Sequence, residues 1–157
     1  MAKEKTYRRN VAIVVLSSKY PHETEIMVAN RIDMKHEAWQ FPQGGIDEGE
    51  TPEDALYREL LEEIGTDEVD IVAEYPEWIS YEFLNKFSKK IYPFDGQTQK
   101  YFLVKLKPGA EINLKTAEPE FIDHKFIKYA QVMNTISNIK KPIYKRVLTH
   151  FKEEGYL

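Results

Sequence analysis

Cysteine is absent from this 157-residue chain. That gap excludes disulfides, zinc–thiolate sites and cysteine nucleophiles. Long apolar runs are missing too. The longest, residues 11–16, is far too short to cross a bilayer. The first residues, Met-Ala-Lys-Glu-Lys-Thr, carry no apolar signal region, so a cytoplasmic location without membrane contact is expected. An excess of positive charge is also lacking. The formal net charge of −4 argues against a broad nucleic-acid-binding surface, although one phosphorylated end can still be gripped. The four histidines (His22, His36, His124, His150) are scattered without metal-ligand spacing. No repeat and no linker is visible, and residues 1–157 are expected to form a single domain. What remains is an ordinary globular composition, 42% hydrophobic and 31% charged. Ten Tyr and eight Phe leave aromatics to spare for a base-binding cleft.

The informative stretch runs from Gly44 to Gly65. Thr51 suits an N-cap, and Pro52 fits the first helical position, where its missing N–H costs nothing. Asp54, three residues after Thr51, can complete a variant of the capping box. Gly65 suits the left-handed residue that ends a helix. The spacing therefore predicts a helix over residues 52–64, entered from a Gly-rich loop. Leu56, Leu60 and Ile64 recur at steps of four and form its buried stripe. Glu59, Glu62 and Glu63 stand at i, i+3 and i+4 and share one face.

Like charges at that spacing repel and call for a partner. Arg58 beside them can pair with only part of the cluster. Oxygen-only ligands of this kind suit Mg²⁺, Mn²⁺ or Ca²⁺ rather than zinc or copper. Glu50, just before the helix, can either ligate metal or pair with Arg58 and lock the loop onto the helix. Three glutamates alone are commonly a solvated helix face. The whole pattern is more specific.

Gly44, Glu50, Arg58, Glu59, Leu60, Glu62, Glu63 and Gly65 match G-x5-E-x7-R-E-U-x-E-E-x-G-U, the Nudix box, where U is bulky and aliphatic. Seven fixed identities arise by chance about once in 10⁸ starting points. One position departs: Thr66 stands where an aliphatic residue is usual, which should loosen the packing under the loop. The chain thus resembles Nudix hydrolases. The resemblance implies an α+β fold, an α/β/α sandwich with a mixed β-sheet between helices.

The remaining pattern fits that class. Strands are expected over residues 11–16, 25–30, 38–41, 68–74, 99–107 and 121–127. Along 99–107, Tyr101, Leu103 and Lys105 alternate with Phe102, Val104 and Leu106, as in a central strand. Helices are expected over 129–136 and 142–151, the second with Ile143, Val147 and Phe151 as its stripe. Residues 75–94 interleave aromatics (Tyr81, Phe83, Phe87, Tyr92, Phe94) with Lys86, Lys89 and Lys90. These lysines are either a solvated loop or phosphate contacts.

The flanks narrow the resemblance to bacterial RNA pyrophosphohydrolases. They are Tyr7-Arg8, Trp39 to Gly45, Gly96 to Phe102, Ala110 to Asn113, Glu118 to Phe121 and Tyr144 to Val147. Residue by residue, the resemblance implies Glu59, Glu62, Glu63 and Glu120 as metal ligands, with Gly44 at the metal and Arg58 in the catalytic group. Arg8 and Lys140 match basic residues that hold the phosphates or the terminal nucleotide. Gln43 and either Gln97 or Gln99 match polar contacts in the cleft. Ile139 occupies the place of an expected base-stacking aromatic, and Ser137 that of a base-facing aliphatic residue, so stacking should be weaker here.

The implied reaction removes pyrophosphate from a 5′-triphosphate RNA end, leaving a 5′-monophosphate that opens the transcript to decay. Mg²⁺, with Mn²⁺ as the alternative, would neutralise the phosphates and activate a water. Spacing alone does not separate base from ligand within the glutamate cluster. Two rival readings stay open: a hydrolase of dinucleoside polyphosphates such as Ap4A, and a Nudix domain that binds a nucleotide without cleaving it. A calcium-binding module would leave the phosphate-facing glycines unexplained. An activating protein partner is not identified by the sequence.

Overall fold

Strand β1 (Tyr7–Leu16) carries core residues on both of its faces. Side chains alternate across a strand with period two. Val11, Ile13 and Val15 therefore enter one buried cluster, and Ala12, Val14 and Leu16 the other. A strand covered on both sides must lie in the middle of a layered structure. The computed structural model describes residues 5–82 and 94–157.

The further strands are β2 (Glu25–Arg31), β3 (Trp39–Gln40), β4 (Gln43–Gly45), β5 (Val69–Glu74), β6 (Ile79–Glu82), β7 (Gly96–Leu106) and β8 (Phe121–Lys128). The main order of the mixed sheet is β3-β2-β1-β7-β5. Strand β1 runs parallel to β7, and β4, β6 and β8 pair antiparallel with β1, β7 and β2. Helix α1 (Pro52–Ile64) covers one face through Leu56, Leu60 and Ile64. Each is fully buried and contributes roughly 1.5–3 kcal/mol. Helices α2 (Val132–Thr135) and α3 (Lys141–Glu153) cover the other face through Val132, Tyr144, Val147, Leu148 and Phe151. The expected α+β sandwich is the observed fold.

Helix α1 has the expected bounds. Thr51 Oγ1 accepts from the Asp54 N–H at 3.1 Å, Asp54 accepts from the Thr51 N–H at 3.3 Å, and Gly65 has φ 76°. Five expectations change. The Gly-rich entry is not all loop, because Gln43–Gly45 pairs with β1 as strand β4. Strand β6 was missed; Ser80 and Glu82 are exposed, so it lacks a clear apolar stripe. The segment 129–136 forms only a 3₁₀ turn (Tyr129–Gln131) and one α-turn. Helix α3 buries Tyr144 and Leu148 rather than Ile143, because Tyr144 stacks on Phe41 with ring centroids 4.1 Å apart. Thr66 does not loosen its surroundings either. It is buried, and its hydroxyl accepts from the Glu68 N–H at 3.1 Å. Phe83, Lys86, Phe87, Lys89, Lys90 and Tyr92 lie outside the described residues.

Candidate active site

Two adjacent glycines let side chains approach from both faces of the sheet. In β4, Gly44 lies opposite Val11 and Gly45 opposite Asn10, so the two present opposite faces. A Cβ on Gly44 would fall 1.9 Å from Glu59 Cδ of helix α1. A Cβ on Gly45 would fall 2.1 Å from Arg8 Nη2. A side chain at either position would displace the Glu59 carboxylate or the Arg8 guanidinium from its place against the short strand.

The acidic side is held from behind by Arg58. Its Nε and Nη2 donate to the two oxygens of Glu50 at 2.7 and 2.8 Å, and Nη2 also donates to the Gly45 carbonyl at 2.8 Å. Its Nη1 donates to Glu59 at 2.9 Å and to Glu62 at 3.3 Å. Glu50 also accepts from the Asp47 N–H at 2.8 Å. The hydrogen bonds from Arg58 and Asp47 lower its carboxyl to about 2. Of its two expected roles, Glu50 takes the pairing one and fastens the loop to the helix. Arg58 is a clamp behind the carboxylates rather than a group lining the cleft.

Glu59 and Glu63 are buried, while Glu62 is exposed. Burial pushes Glu59 up to about 7, against the pull of Arg58. Burial, then the charges of Glu120 and Glu59, push Glu63 well above the usual carboxylate range. Oε2 of Glu63 is buried without a hydrogen-bond partner. An unpartnered carboxylate oxygen beside the carboxylates of Glu59 and Glu120 calls for a cation, or for a proton shared with Glu120. Among the described residues no three acidic side chains stand as a ready-made metal shell. Arg58 draws Glu59 and Glu62 toward itself, and the donor set nonetheless fits a hard divalent ion.

Across the cleft, Arg8, Asn10, Arg31, Gln43 and Gln97 line the same space as Glu59, Glu62, Glu63 and Glu120. Lys140 Nζ stands 3.4 Å from both Gln43 Oε1 and the Tyr81 hydroxyl. Burial, and to a lesser degree the charge of Arg31, lower Lys140 to about 8. Tyr81 donates to Gln97 Oε1 at 2.8 Å, and burial raises its hydroxyl to about 12. Gln99 is fully buried beneath this layer. Ser137 and Ile139, like Lys140, are not among the side chains that line the space around Glu63. Ser137 anchors the chain through its N–H to the Trp39 carbonyl at 3.2 Å, and Ile139 is 66% exposed. Sequence reasoning missed Asn10, Arg31 and Asp33 in the lining. Asn10 was traceable, two residues beyond Arg8 on the same strand.

The description NUDIX domain matches residues 6–147. The chain belongs to the NUDIX family. Within it, an RNA pyrophosphohydrolase of Nitratiruptor sp. is 59% identical over 153 residues, covering 98% of each chain. One from Campylobacter jejuni is 59% identical over 157 residues and covers all of both. One from Helicobacter pylori is 52% identical over 153 residues, again covering 98% of each. The NUDIX fold recurs in solved structures of low identity. A C. elegans Ap4A hydrolase complex superposes with TM-score 0.68 at 18% identity, covering 94% of this chain and 98% of that one. An E. coli dihydroneopterin triphosphate pyrophosphohydrolase superposes with TM-score 0.67 at 18% identity, covering 87% and 92%.

Proposed function

We propose that this chain is a cytoplasmic, metal-dependent RNA 5′-pyrophosphohydrolase that converts 5′-triphosphate ends into 5′-monophosphate ends and so promotes RNA decay. The observation that carries the reading is the unpartnered oxygen of Glu63 among acids, in a cleft that Arg8 and Arg31 also line, with Lys140 standing beside Gln43. RNA as substrate follows from the full-length identity to RNA pyrophosphohydrolases.

Glu59, Glu62, Glu63 and Glu120 are the residues that would hold Mg²⁺, or Mn²⁺ in its place. Bound there, the metal would neutralise phosphate charge and lower the pKa of a water. Arg8 and Lys140 oppose the negative charge of the polyphosphate and of the departing pyrophosphate. Gly44 keeps the backbone close to Glu59 so that a phosphate chain can lie against the cluster. Arg58 and Glu50 hold the loop and helix at fixed spacing. This makes Arg58 a positioning residue.

The test is a short RNA with a labelled 5′-triphosphate, incubated with the protein and Mg²⁺, with Ap4A in parallel. Release of pyrophosphate from RNA, lost in Glu63→Gln, is the expected result. Brisk Ap4A cleavage with inert RNA would instead make it a nucleotide-pool enzyme. Silence on both would leave a binding-only domain.

A further inference from the structure

Beneath the cleft, four polar side chains are joined in a directed chain. The β1–β7 register pairs Arg8 with Gln97, Asn10 with Gln99, and Ala12 with Tyr101. One face of this strand pair thus passes from apolar core to polar floor in three steps. At the core end the Tyr101 hydroxyl donates to Gln99 Oε1 at 2.9 Å. Gln99 Nε2 then donates twice, to Asn10 Oδ1 at 2.9 Å and to Gln43 Oε1 at 2.8 Å. At the cleft end, the ammonium of Lys140 faces the same Gln43 oxygen at 3.4 Å. An ammonium can only donate, so the atom it faces must be the oxygen. The Lys140 end therefore demands this amide orientation, and the Tyr101 hydroxyl, which can donate or accept, serves it as a donor.

We propose that Tyr101 and Gln99 are positioning residues that fix the amide polarity of Asn10 and Gln43, so that both present NH₂ groups to an anionic ligand in the cleft. The proposal rests on the reading of the cleft as a polyphosphate site. With both carbonyl oxygens engaged on Gln99, the NH₂ groups are left for the cleft that Asn10 and Gln43 line. A reversed Gln99 would turn carbonyl oxygens toward the phosphates and repel them. Gln99 is fully buried, so it acts through its neighbours and not by touching substrate. A pre-oriented donor floor needs no reorganisation when charge arrives.

A double-mutant cycle tests this in the full chain with triphosphorylated RNA and Mg²⁺. Tyr101→Phe keeps the ring and removes only the donor. It is expected to raise KM about fivefold or more, and to raise KM more than it lowers kcat. In an Asn10→Ala/Gln43→Ala background the same change is expected to have little further effect, because the groups it orients are gone. Equal effects in both backgrounds would overturn the proposal, since a packing role adds independently. A second readout needs no turnover. The side-chain amide NMR signals of Asn10 and Gln43 in the unmutated protein are expected to move on adding magnesium tripolyphosphate. Unmoved signals would overturn the proposal. Moving signals in a protein that leaves RNA uncut would sink the RNA reading and leave the donor floor standing.

Discussion

The two walls of the cleft are built in different ways. The acidic wall comes almost entirely from one continuous stretch, residues 44–63, with Glu120 added from elsewhere. Its geometry follows from helix periodicity, so spacing alone reveals it. The opposing wall draws Arg8 and Asn10 from β1, Arg31 from β2, Gln43 from β4, Gln97 from β7, and Lys140 from the 3₁₀ turn Asn138–Lys140. Sheet register brings these residues together, and register is invisible to local pattern. The acidic wall also lacks an internal partner at Glu63 Oε2, whereas the opposing wall is cross-linked through Gln99. On the proposed reading the acidic wall is the one a cation would complete, whereas the opposite wall is already hydrogen-bonded in place.

The largest predicted effect breaks the acidic wall. Glu63→Gln should lower kcat on triphosphorylated RNA by about a thousandfold or more, as expected for a metal-assisted hydrolase that loses a metal-facing carboxylate. The same change should not cost stability without metal. A carboxyl whose folded pKa is raised is most stabilising at low pH and becomes a burden as pH climbs through that value. Glu63→Gln removes this burden, so at pH 8 without metal its Tm should equal or exceed the unmutated one by thermal denaturation.

Next is the bare backbone between the walls. Gly44→Ala places a methyl 1.9 Å from Glu59 Cδ and must displace that carboxylate. A loss of kcat of about a hundredfold, with only a few degrees lost from Tm, is expected from steady-state rates and thermal melts.

The opposing wall should break more gently. Lys140→Met should raise KM about tenfold and leave the acidic wall able to bind metal. In the unmutated protein KM should rise as pH climbs through about 8, because Lys140 loses its charge there. That rise should vanish in Lys140→Met, which a KM–pH profile would reveal. The smallest effect concerns the rim. Ile139 is 66% exposed, and Ile139→Phe should lower KM by only about threefold through added base contact.

Much of this was legible beforehand, for a physical reason. Thr51, Pro52, Asp54 and Gly65 bound helix α1 by local rules, and the alternation along β7 placed its two faces correctly. The role of Gln43–Gly45 as a strand was not legible, because Gly-Gly reads as a turn until β1 supplies the pairing partner. The sequence left Gln97 and Gln99 as alternatives for one cleft contact; Gln97 lines the cleft and Gln99 is buried support, since a polar residue in a strand gives no hint of depth. Arg31 and Asp33 entered the lining unforeseen, because no motif spans from β2 to the glutamate helix.

The central claim is that Glu63 and its acidic neighbours form the cation site opposite the phosphate-binding wall. The most direct test is a Mn²⁺ titration of the full chain followed by electron paramagnetic resonance, comparing the unmutated protein with Glu63→Gln at equal thermal stability. The account predicts saturable Mn²⁺ binding that weakens by at least about tenfold in Glu63→Gln. Equal binding in a folded Glu63→Gln protein would contradict it.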